Sequence, residues 1–324
     1  MTLLKMMPTL QIVAAILLAA NCAAAHAAPG CSASAHVQRL ACEFDLRDEF
    51  FTQSAHCKDT ANVDPLCVED AAAGYDDGLE ECNDILAARL EVCEALGNAT
   101  HEPEFGPAFA ADFVDPLDIG TGVAPNPWFA LVPGNRWVYE GGTESIEVVV
   151  TGDTKLIDGI TCIVVVDTAT DDGVVVEITN DWYAQDVNGN VWYCGEIAEN
   201  YEEFDGDETS DPELVDIDGS WKAGRDRAEA GMLLPFDPQP GDVIRQEFAQ
   251  GDAEDVIEIL AVDASEVSAG ASCDGTCLMT RDFSPLEPGI EEHKYYAPGV
   301  GLIVELDPAS GDRVELSVFE GAGQ

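Results

Sequence analysis

Residues 31–93 read CSASAHVQRLACEFDLRDEFFTQSAHCKDTANVDPLCVEDAAAGYDDGLEECNDILAARLEVC, and the six cysteines of that stretch are placed symmetrically about Asn62. Cys57 and Cys67, Cys42 and Cys82, and Cys31 and Cys93 each have residue numbers that sum to 124. Two antiparallel segments folded at one turn and cross-linked by three nested rungs require that symmetry. Apolar residues recur at mostly helical spacing on both sides of the turn, with Val37, Leu40, Ala41, Phe44, Phe51 and Ala55 before it and Val68, Ala71, Ala72, Tyr75, Leu79, Leu86 and Leu90 after it. Cysteine offsets of 11 and 15 residues return to within about 60° of one helix face, so each trio can look at the partner helix. Asn62-Val-Asp-Pro65 supplies the turn, with Asp64 capping a helix that starts at Pro65. The spacing therefore predicts a disulfide-stapled helical hairpin over residues 28–97. One disulfide closing a loop of this size is worth roughly 4 kcal/mol in the chain-entropy picture, and nested ones less each. A unit of two helices needs such staples, because packing alone gives it little core.

Upstream, one early charge, Lys5, precedes an apolar run over 10–20 and small residues ending Ala25-His26-Ala27. This order is that of a secretory signal peptide, with cleavage expected after Ala27 and a secreted or periplasmic product. The competing reading is a lipoprotein anchored through Cys22, since 18–22 has the outline of a lipidation box, although Asn21 stands where that signal has a small residue. Without residues 1–27, ten of the 11 cysteines remain. An even number in an exported chain reads as a disulfide framework. No second long apolar run follows, so no membrane span is expected after cleavage. The formal net charge of −49, from 63 acidic against 14 basic residues, excludes nucleic acid and anionic membranes as natural partners. Solubility in a saline medium accounts for acids spread along the whole chain. Attraction of cations, basic peptides or calcium is the functional alternative.

Downstream, Gly97 stops the second helix, and Pro103, Pro107, Pro116, Pro125 and Pro127 punctuate 98–127, read as a linker. From Trp128 onward the apolar period changes to two. Strands are expected over 136–140, 145–151, 160–168, 174–185, 191–196, 242–249, 255–262, 278–283, 291–297, 301–306 and 313–319, many separated by turn pairs such as Asp158-Gly159, Asp172-Gly173 and Asn188-Gly189. The fold class is thus α+β: a stapled antiparallel helical hairpin followed, over 128–324, by an antiparallel β-meander forming a curved sheet or barrel. Residues 199–220 read as an acidic excursion from it.

Two resemblances follow from these residues. Asn126-Pro-Trp128, Pro133-Gly134, Trp137-Val-Tyr139, 181–186 (DWYAQD), 189–193 (GNVWY) and 294–301 (KYYAPGVG) resemble signatures of uncharacterised bacterial exported β-rich proteins over roughly 126–306. That resemblance implies an export-compatible β fold and transfers no catalytic residue. The cysteine ladder resembles twin-cysteine helical hairpins in architecture alone.

The densest candidate site is 181–196, where Asn188-Gly189 as a two-residue turn would set Gln185 opposite Trp192, Tyr183 opposite Cys194 and Ala184 opposite Tyr193. Trp182, Tyr183, Trp192 and Tyr193, with Trp221, would then offer aromatic surface to a sugar ring or apolar ligand. The same side chains would serve equally well as core. Asp205, Asp207, Glu208, Asp211, Asp216 and Asp218 supply hard oxygen ligands of the kind calcium needs, but without EF-hand spacing. Cys273 and Cys277 can close a small loop, leaving Cys162 and Cys194 to each other. In a simple meander, however, those two flank a common strand and lie about 9.6 Å apart, too far for a bond, so cross-sheet pairing, or pairing of each with Cys273 or Cys277, stays open. No nucleophile elbow, zinc-protease helix, phosphate loop or dinucleotide fingerprint is present. The expectation is an exported, non-enzymatic protein that binds a small ligand or protein partner through its β domain, with no cofactor unless calcium. A calcium-dependent cell-surface protein and a carboxylate-based hydrolase are the alternatives.

Overall fold

The computed structural model describes residues 30–60, 64–204 and 212–322. Residues 1–27, read as a signal peptide, with Cys22 among them, and the turn residues Asn62 and Val63 lie outside the described residues. The chain divides into two compact units, with the boundary between His101 and Glu102.

The first unit is two antiparallel helices, α1 (Cys31–Asp59) and α2 (Cys67–Ala95). Three disulfides tie them together: Cys31–Cys93, Cys42–Cys82 and Cys57–Cys67, with Cα separations of 5.3, 6.0 and 5.8 Å. Asp64 prepares the start of α2, its carboxylate accepting from the Leu66 amide at 2.9 Å and its carbonyl from the Cys67 amide at 3.0 Å. At the other end Gly97 (φ 63°) and Asn98 (φ 59°) turn left-handed, and the Asn98 amide returns to the Cys93 carbonyl at 2.6 Å. The Asn98 side chain then accepts from the Ser32 amide at 2.8 Å, so the residue that ends α2 caps α1.

Cys31, Ala35, Ser54 and Cys57 form the buried face of α1, whereas Val37, Leu40, Phe44 and Phe51 are exposed. At 100° per residue these four sit opposite the cysteines. The helical period of the apolar residues is present, but the rungs, not the apolar stripe, fix which face meets α2.

The second unit is an antiparallel, nearly closed barrel-like sheet. Its strands are β1 (Arg136–Gly141), β2 (Glu144–Ile157), β3 (Ile160–Asp171), β4 (Val174–Gln185), β5 (Val191–Glu202), β6 (Glu213–Asp216), β7 (Trp221–Lys222), β8 (Glu229–Leu234), β9 (Val243–Arg245), β10 (Glu247–Phe248), β11 (Val256–Val267), β12 (Ser272–Phe283), β13 (Glu291–Ala297), β14 (Gly301–Leu306) and β15 (Arg313–Glu320). The hydrogen-bonded order is β10-β8-β5-β4-β3-β2-β1-β15-β14-β13-β12-β11-β9, with β6 and β7 also on β5. First and last strands pair, as β1 does with β15. The two ends of the path are halves of one stretch, since β9 pairs with β11 and β10 with β8 on either side of Gln246. One bent segment thus brings both edges together, which leaves few unpaired edge groups.

Asp158 (φ 43°)-Gly159 (φ 83°) and Asp172 (φ 49°)-Gly173 (φ 84°) make the two-residue left-handed turns expected of them, after Ile157↔Ile160 and Asp171↔Val174 pairing. Residues 199–202 continue β5, and β6 returns along them with every residue exposed, so part of the acidic excursion is a projecting hairpin.

Residues 102–127, read from their prolines as a linker, belong to this second unit. Phe105, Phe113 and Val123 pack on its core and Ile119 is fully buried. Asn126 is also fully buried; its amide donates to Gln185 Oε1 at 3.0 Å and its side-chain NH₂ to the Gly189 carbonyl at 2.8 Å. Its carboxamide oxygen accepts from the Trp128 amide at 2.8 Å, so Asn126-Pro-Trp128 is a structural clasp. Leu131, Trp137, Ile163, Val191 and Leu316 anchor the core, each worth about 1.5–3 kcal/mol on full burial.

Cys162 and Cys194 are bonded, with Cα atoms 6.8 Å apart. The flat-sheet separation fails for a local reason. Cys162 lies one residue beyond the last β3–β4 pair, Ile163↔Tyr183, and Cys194 is the extra residue where β5 bulges against β4. Cys273 and Cys277 are bonded to each other, closing a loop that bulges from β12. Five disulfides point to folding in an oxidising compartment. No helix among the described residues is long and apolar enough to cross a membrane.

Candidate functional site

On β4, Glu177, Thr179, Asp181 and Tyr183 occupy alternate positions and share one face. Tyr193 and Glu196 on β5 are three residues apart and would point to opposite faces of a regular strand. The bulge at Cys194 reverses the alternation, so Tyr193 pairs with Tyr183, Glu196 pairs with Asp181, and both join that face. Gly195 makes this geometry available: its φ is +126°, and a Cβ there would stand 2.5 Å from the Trp221 carbonyl oxygen. Trp221, on β7, pairs with Glu196 and sets its ring edge-on to Tyr193 at 5.4 Å. Tyr183 and Tyr193 stack at 4.6 Å.

The Tyr193 hydroxyl hydrogen-bonds to Asp181 Oδ1 and, at 2.6 Å, to Glu196 Oε2. A hydroxyl carries one proton, so it donates to one carboxyl and accepts from the other, which must then be protonated. Burial pushes both acids upward; for Glu196 repulsion from Asp181 adds to it, while for Asp181 the bonds from Tyr193 and Glu196 hold the rise back. Glu247 of β10 closes this group; burial, then Asp255 and Glu196, push it well above the usual carboxylate range. Burial and the charge of Asp181 likewise push Asp167 of β3 up to about 8.

The opposite wall is balanced differently. Lys294 of β13 sends its ammonium to Asp282 at 3.6 Å, Glu292 at 3.3 Å and Glu305 at 3.2 Å. Burial works against its charge, but Glu305, Asp282 and their neighbours outweigh it and hold the lysine well above its ordinary value. Tyr296, two residues on along β13, extends this wall.

Members of both groups line one cavity of about 590 Å³: Tyr193, Glu196 and Glu247 from the first, and Asp282, Lys294 and Tyr296 from the second. Exposed Gly219, Asp252 and Glu287 form its rim. Groups from β5, β10, β12 and β13 converge there, which defines the inner face of the barrel-like sheet.

Of the five aromatic residues singled out in the sequence, Tyr183, Tyr193 and Trp221 come together and Trp182 and Trp192 do not. Trp182 lies under the Lys155 ammonium at 3.4 Å from its ring centre. Trp192 packs against Phe105 and Phe113, with ring centres 6.3 and 6.1 Å away, and donates to Asp186 Oδ2 at 3.1 Å. The expected register is one residue off: the pairs are Tyr183↔Tyr193, Ala184↔Trp192 and Gln185↔Val191. The loop is longer than Asn188-Gly189, because the Asp186 carboxylate accepts from the Asn188 and Asn190 amides at 2.8 and 3.0 Å and holds 186–190 together. That one-residue change unites the two tyrosines on the inner face and puts Trp192 on the outer.

Asp205, Asp207, Glu208 and Asp211 lie outside the described residues. Asp216 and Asp218 are exposed, and Asp216 is engaged by the Asn200 side chain at 2.7 Å and the Asp218 amide at 3.0 Å. No group of three or more His, Cys, Asp or Glu side chains among the described residues is arranged to hold a metal ion. Asp181, Glu196, Glu247 and Lys294 were not among the sequence candidates. Asp181 and Lys294 sit at inward positions of strands whose alternation is readable; Glu196 and Glu247 depend on a bulge and on barrel closure, which are not.

Fold and site together define an α+β protein with a stapled helical hairpin and a barrel-like sheet around an acid-lined cavity. Comparison with known proteins returned no match: no family model fits the chain, and no curated protein or solved structure is similar to it.

Proposed function

We propose that this is an exported, non-enzymatic protein whose β unit binds a small molecule in the cavity between Glu247 and Lys294. The observation that carries the reading is the cavity itself: about 590 Å³, open at one rim, with polar groups from four strands converging on it. Small-ligand sites have this size and set orienting polar groups on a rigid frame; here acids such as Glu196, Glu247, Asp255 and Asp282 dominate the lining. The five disulfides support an exported setting. A ligand that binds the folded state raises its stability by mass action. The oxidised full chain, screened by thermal unfolding against neutral, anionic and cationic small molecules at millimolar concentration, should show a raised midpoint with at least one class. Tyr193→Ala should remove that rise. No shift with any class overturns the reading.

One observation favours a second reading, a carboxylate-based hydrolase: Asp181 and Glu196 share the Tyr193 hydroxyl, and a proton held between two acids beside a cavity is the raw material of acid/base catalysis. A turnover screen with exported-substrate esters, glycosides and peptides tests it, and turnover lost in Asp181→Asn would establish it over simple binding.

A further inference from the structure

Positive side chains are scarce in this chain, 14 against 63 acidic ones, and most of them are claimed by a carboxylate. Arg39, Arg47, Arg136, Arg281, Lys294 and Arg313 each form at least one salt bridge. Lys155 and Lys222 depart from that rule. Among the described residues neither ammonium has a salt bridge or a hydrogen bond, and both lie over one ring, that of Trp182, at 3.4 and 6.0 Å from its centre. We propose that Lys155 and Lys222 form the binding site of a small dianion, a short dicarboxylate or a divalent oxyanion, that bridges the two ammonium groups beside Trp182. None of these three residues lines the cavity between Glu247 and Lys294, so the site is separate from the one described above.

The strands bring the two lysines together from opposite sides. Trp182 and Lys222 belong to one cross-strand row, in which Trp182 of β4 pairs with Gly195 of β5 and Gly195 pairs with Lys222 of β7. Gly195 has no side chain, so Lys222 extends over it to the ring. A Cβ at that position would stand 2.6 Å from the Lys222 Cα, and any other residue would push β7 away. Lys155 comes from β2, reaching across β3 to the same indole. Both lysines are half-buried, which leaves their ammonium groups within reach of solvent.

Covering the ring accounts for only one of them. Cation–π attraction seats Lys155 on Trp182, whereas a second ammonium at 6.0 Å stands at the limit of that attraction and is repelled by the first. Burial and Lys222 together push the Lys155 ammonium below its ordinary value. A nearby acid would relieve this, yet Asp153 and Asp158, two and three residues from Lys155, pair with neither lysine. Asp158 is directed between Gly106 and Gly224 instead. Exposed Arg225 and Arg227 follow Lys222 within five residues, so the basic character continues along the chain. The net charge of −49 does not cancel it: in a medium of 0.15 M ionic strength charges are screened beyond about 8 Å, and the groups inside that distance set the local potential.

The test is calorimetric titration of the oxidised full chain with sodium succinate, sodium phosphate and sodium sulfate, with sodium chloride holding the ionic strength constant. At least one of the three should bind. In Lys155→Met and in Lys222→Met binding should weaken roughly tenfold, the worth of one charge-assisted hydrogen bond, with circular dichroism unchanged. Methionine keeps an unbranched apolar chain against Trp182, so the loss reports the charge, and either variant suffices if the other fails to fold. Lys58→Met removes an exposed positive charge in the helical hairpin and should leave binding as it was. Succinate binding without phosphate or sulfate assigns the site to dicarboxylates, and the converse assigns it to oxyanions; both support the proposal. Binding that survives both site variants, or that Lys58→Met weakens equally, overturns it. Acetate binding as tightly as succinate overturns the bridging of two ammonium groups. No binding of any dianion at millimolar concentration overturns the site and leaves the cavity reading standing.

Discussion

At the scale of single residues, two glycines decide whether the site exists. Gly195 carries a left-handed φ of +126° at the bulge that turns Tyr193 and Glu196 to the same face. Gly231 pairs with Tyr193, and a Cβ added to it would stand 2.2 Å from the Gln246 carbonyl oxygen and 2.5 Å from that of Arg245. Those atoms are backbone and belong to the bent segment that joins both edges of the sheet. They cannot rotate away as a side chain would. Gly231→Ala should therefore cost on the order of 3 kcal/mol or more, read as a lower denaturation midpoint with the hairpin's helical signal retained. A loss below about 0.5 kcal/mol would show that β8 and the 245–246 corner are not in tight contact. Tyr193 is the complementary case. Tyr193→Phe keeps the stack on Tyr183 and removes the hydroxyl shared by Asp181 and Glu196. Leaving two buried acids without that partner should cost about 1–3 kcal/mol, measured by the same unfolding experiment.

At the scale of elements, the cysteine ladder carries its own prediction. Replacing Cys42 and Cys82 by serine opens the middle rung, whose partners are 40 residues apart, while the outer and inner rungs persist. The outer rung already restricts the unfolded chain, so the loss should be roughly 2 kcal/mol rather than the full value for an isolated loop. It would appear as a lower midpoint in far-ultraviolet circular dichroism, since both long helices belong to this unit. The ladder was the most legible feature of the sequence, because cysteine positions are discrete and their symmetry survives any error in helix boundaries. Most strands were legible for a similar reason, since alternation and Asp-Gly turns are local signals; β6, β7 and β8 were not among the expected strands, and the strand expected over 242–249 is split into β9 and β10, which pair with different partners. What the sequence could not show was the face. In α1 the apolar period is present and yet Val37, Leu40, Phe44 and Phe51 point away from α2. In β5 the bulge at Cys194 reverses the parity of everything beyond it. In the 186–190 loop, side-chain bonds from Asp186 lengthen the turn and slip the register by one. Each is a one-residue event with consequences along a whole element, and the site acids Glu196 and Glu247 lie downstream of two such events.

At the scale of the whole molecule, the net charge of −49 hides two acid populations with opposite behaviour. Carboxylates near the surface such as Asp216 and Asp307 are held low by hydrogen bonds, Asp216 first by the Asp218 amide and Asp307 first by Ser310. They are ionised throughout the neutral range. The inner acids are the reverse: burial raises Asp181, Glu196 and Glu247, and takes Asp167 to about 8. A carboxyl raised on folding binds a proton in the folded state that the unfolded chain has already lost. Between the unfolded value near 4 and the raised folded value, the folded state therefore holds more protons, and stability falls as pH rises. The window for Asp167 runs from roughly 4 up to about 8. General self-repulsion of the surface predicts no such slope over this range, since exposed acids have finished titrating by about pH 5.5, and it is screened by salt, whereas buried groups are screened far less. The unfolding midpoint of the oxidised chain, followed by tryptophan fluorescence, should therefore drop between pH 5.5 and 8 in low and high salt alike. Each kcal/mol lost lowers it by roughly 2–4 °C for a unit of this size. Glu247→Gln should flatten the slope by removing one of the titrating groups. A midpoint that stays level, or whose fall disappears in 1 M salt (Debye length about 3 Å), would place the pH response on the surface and leave the inner acids silent.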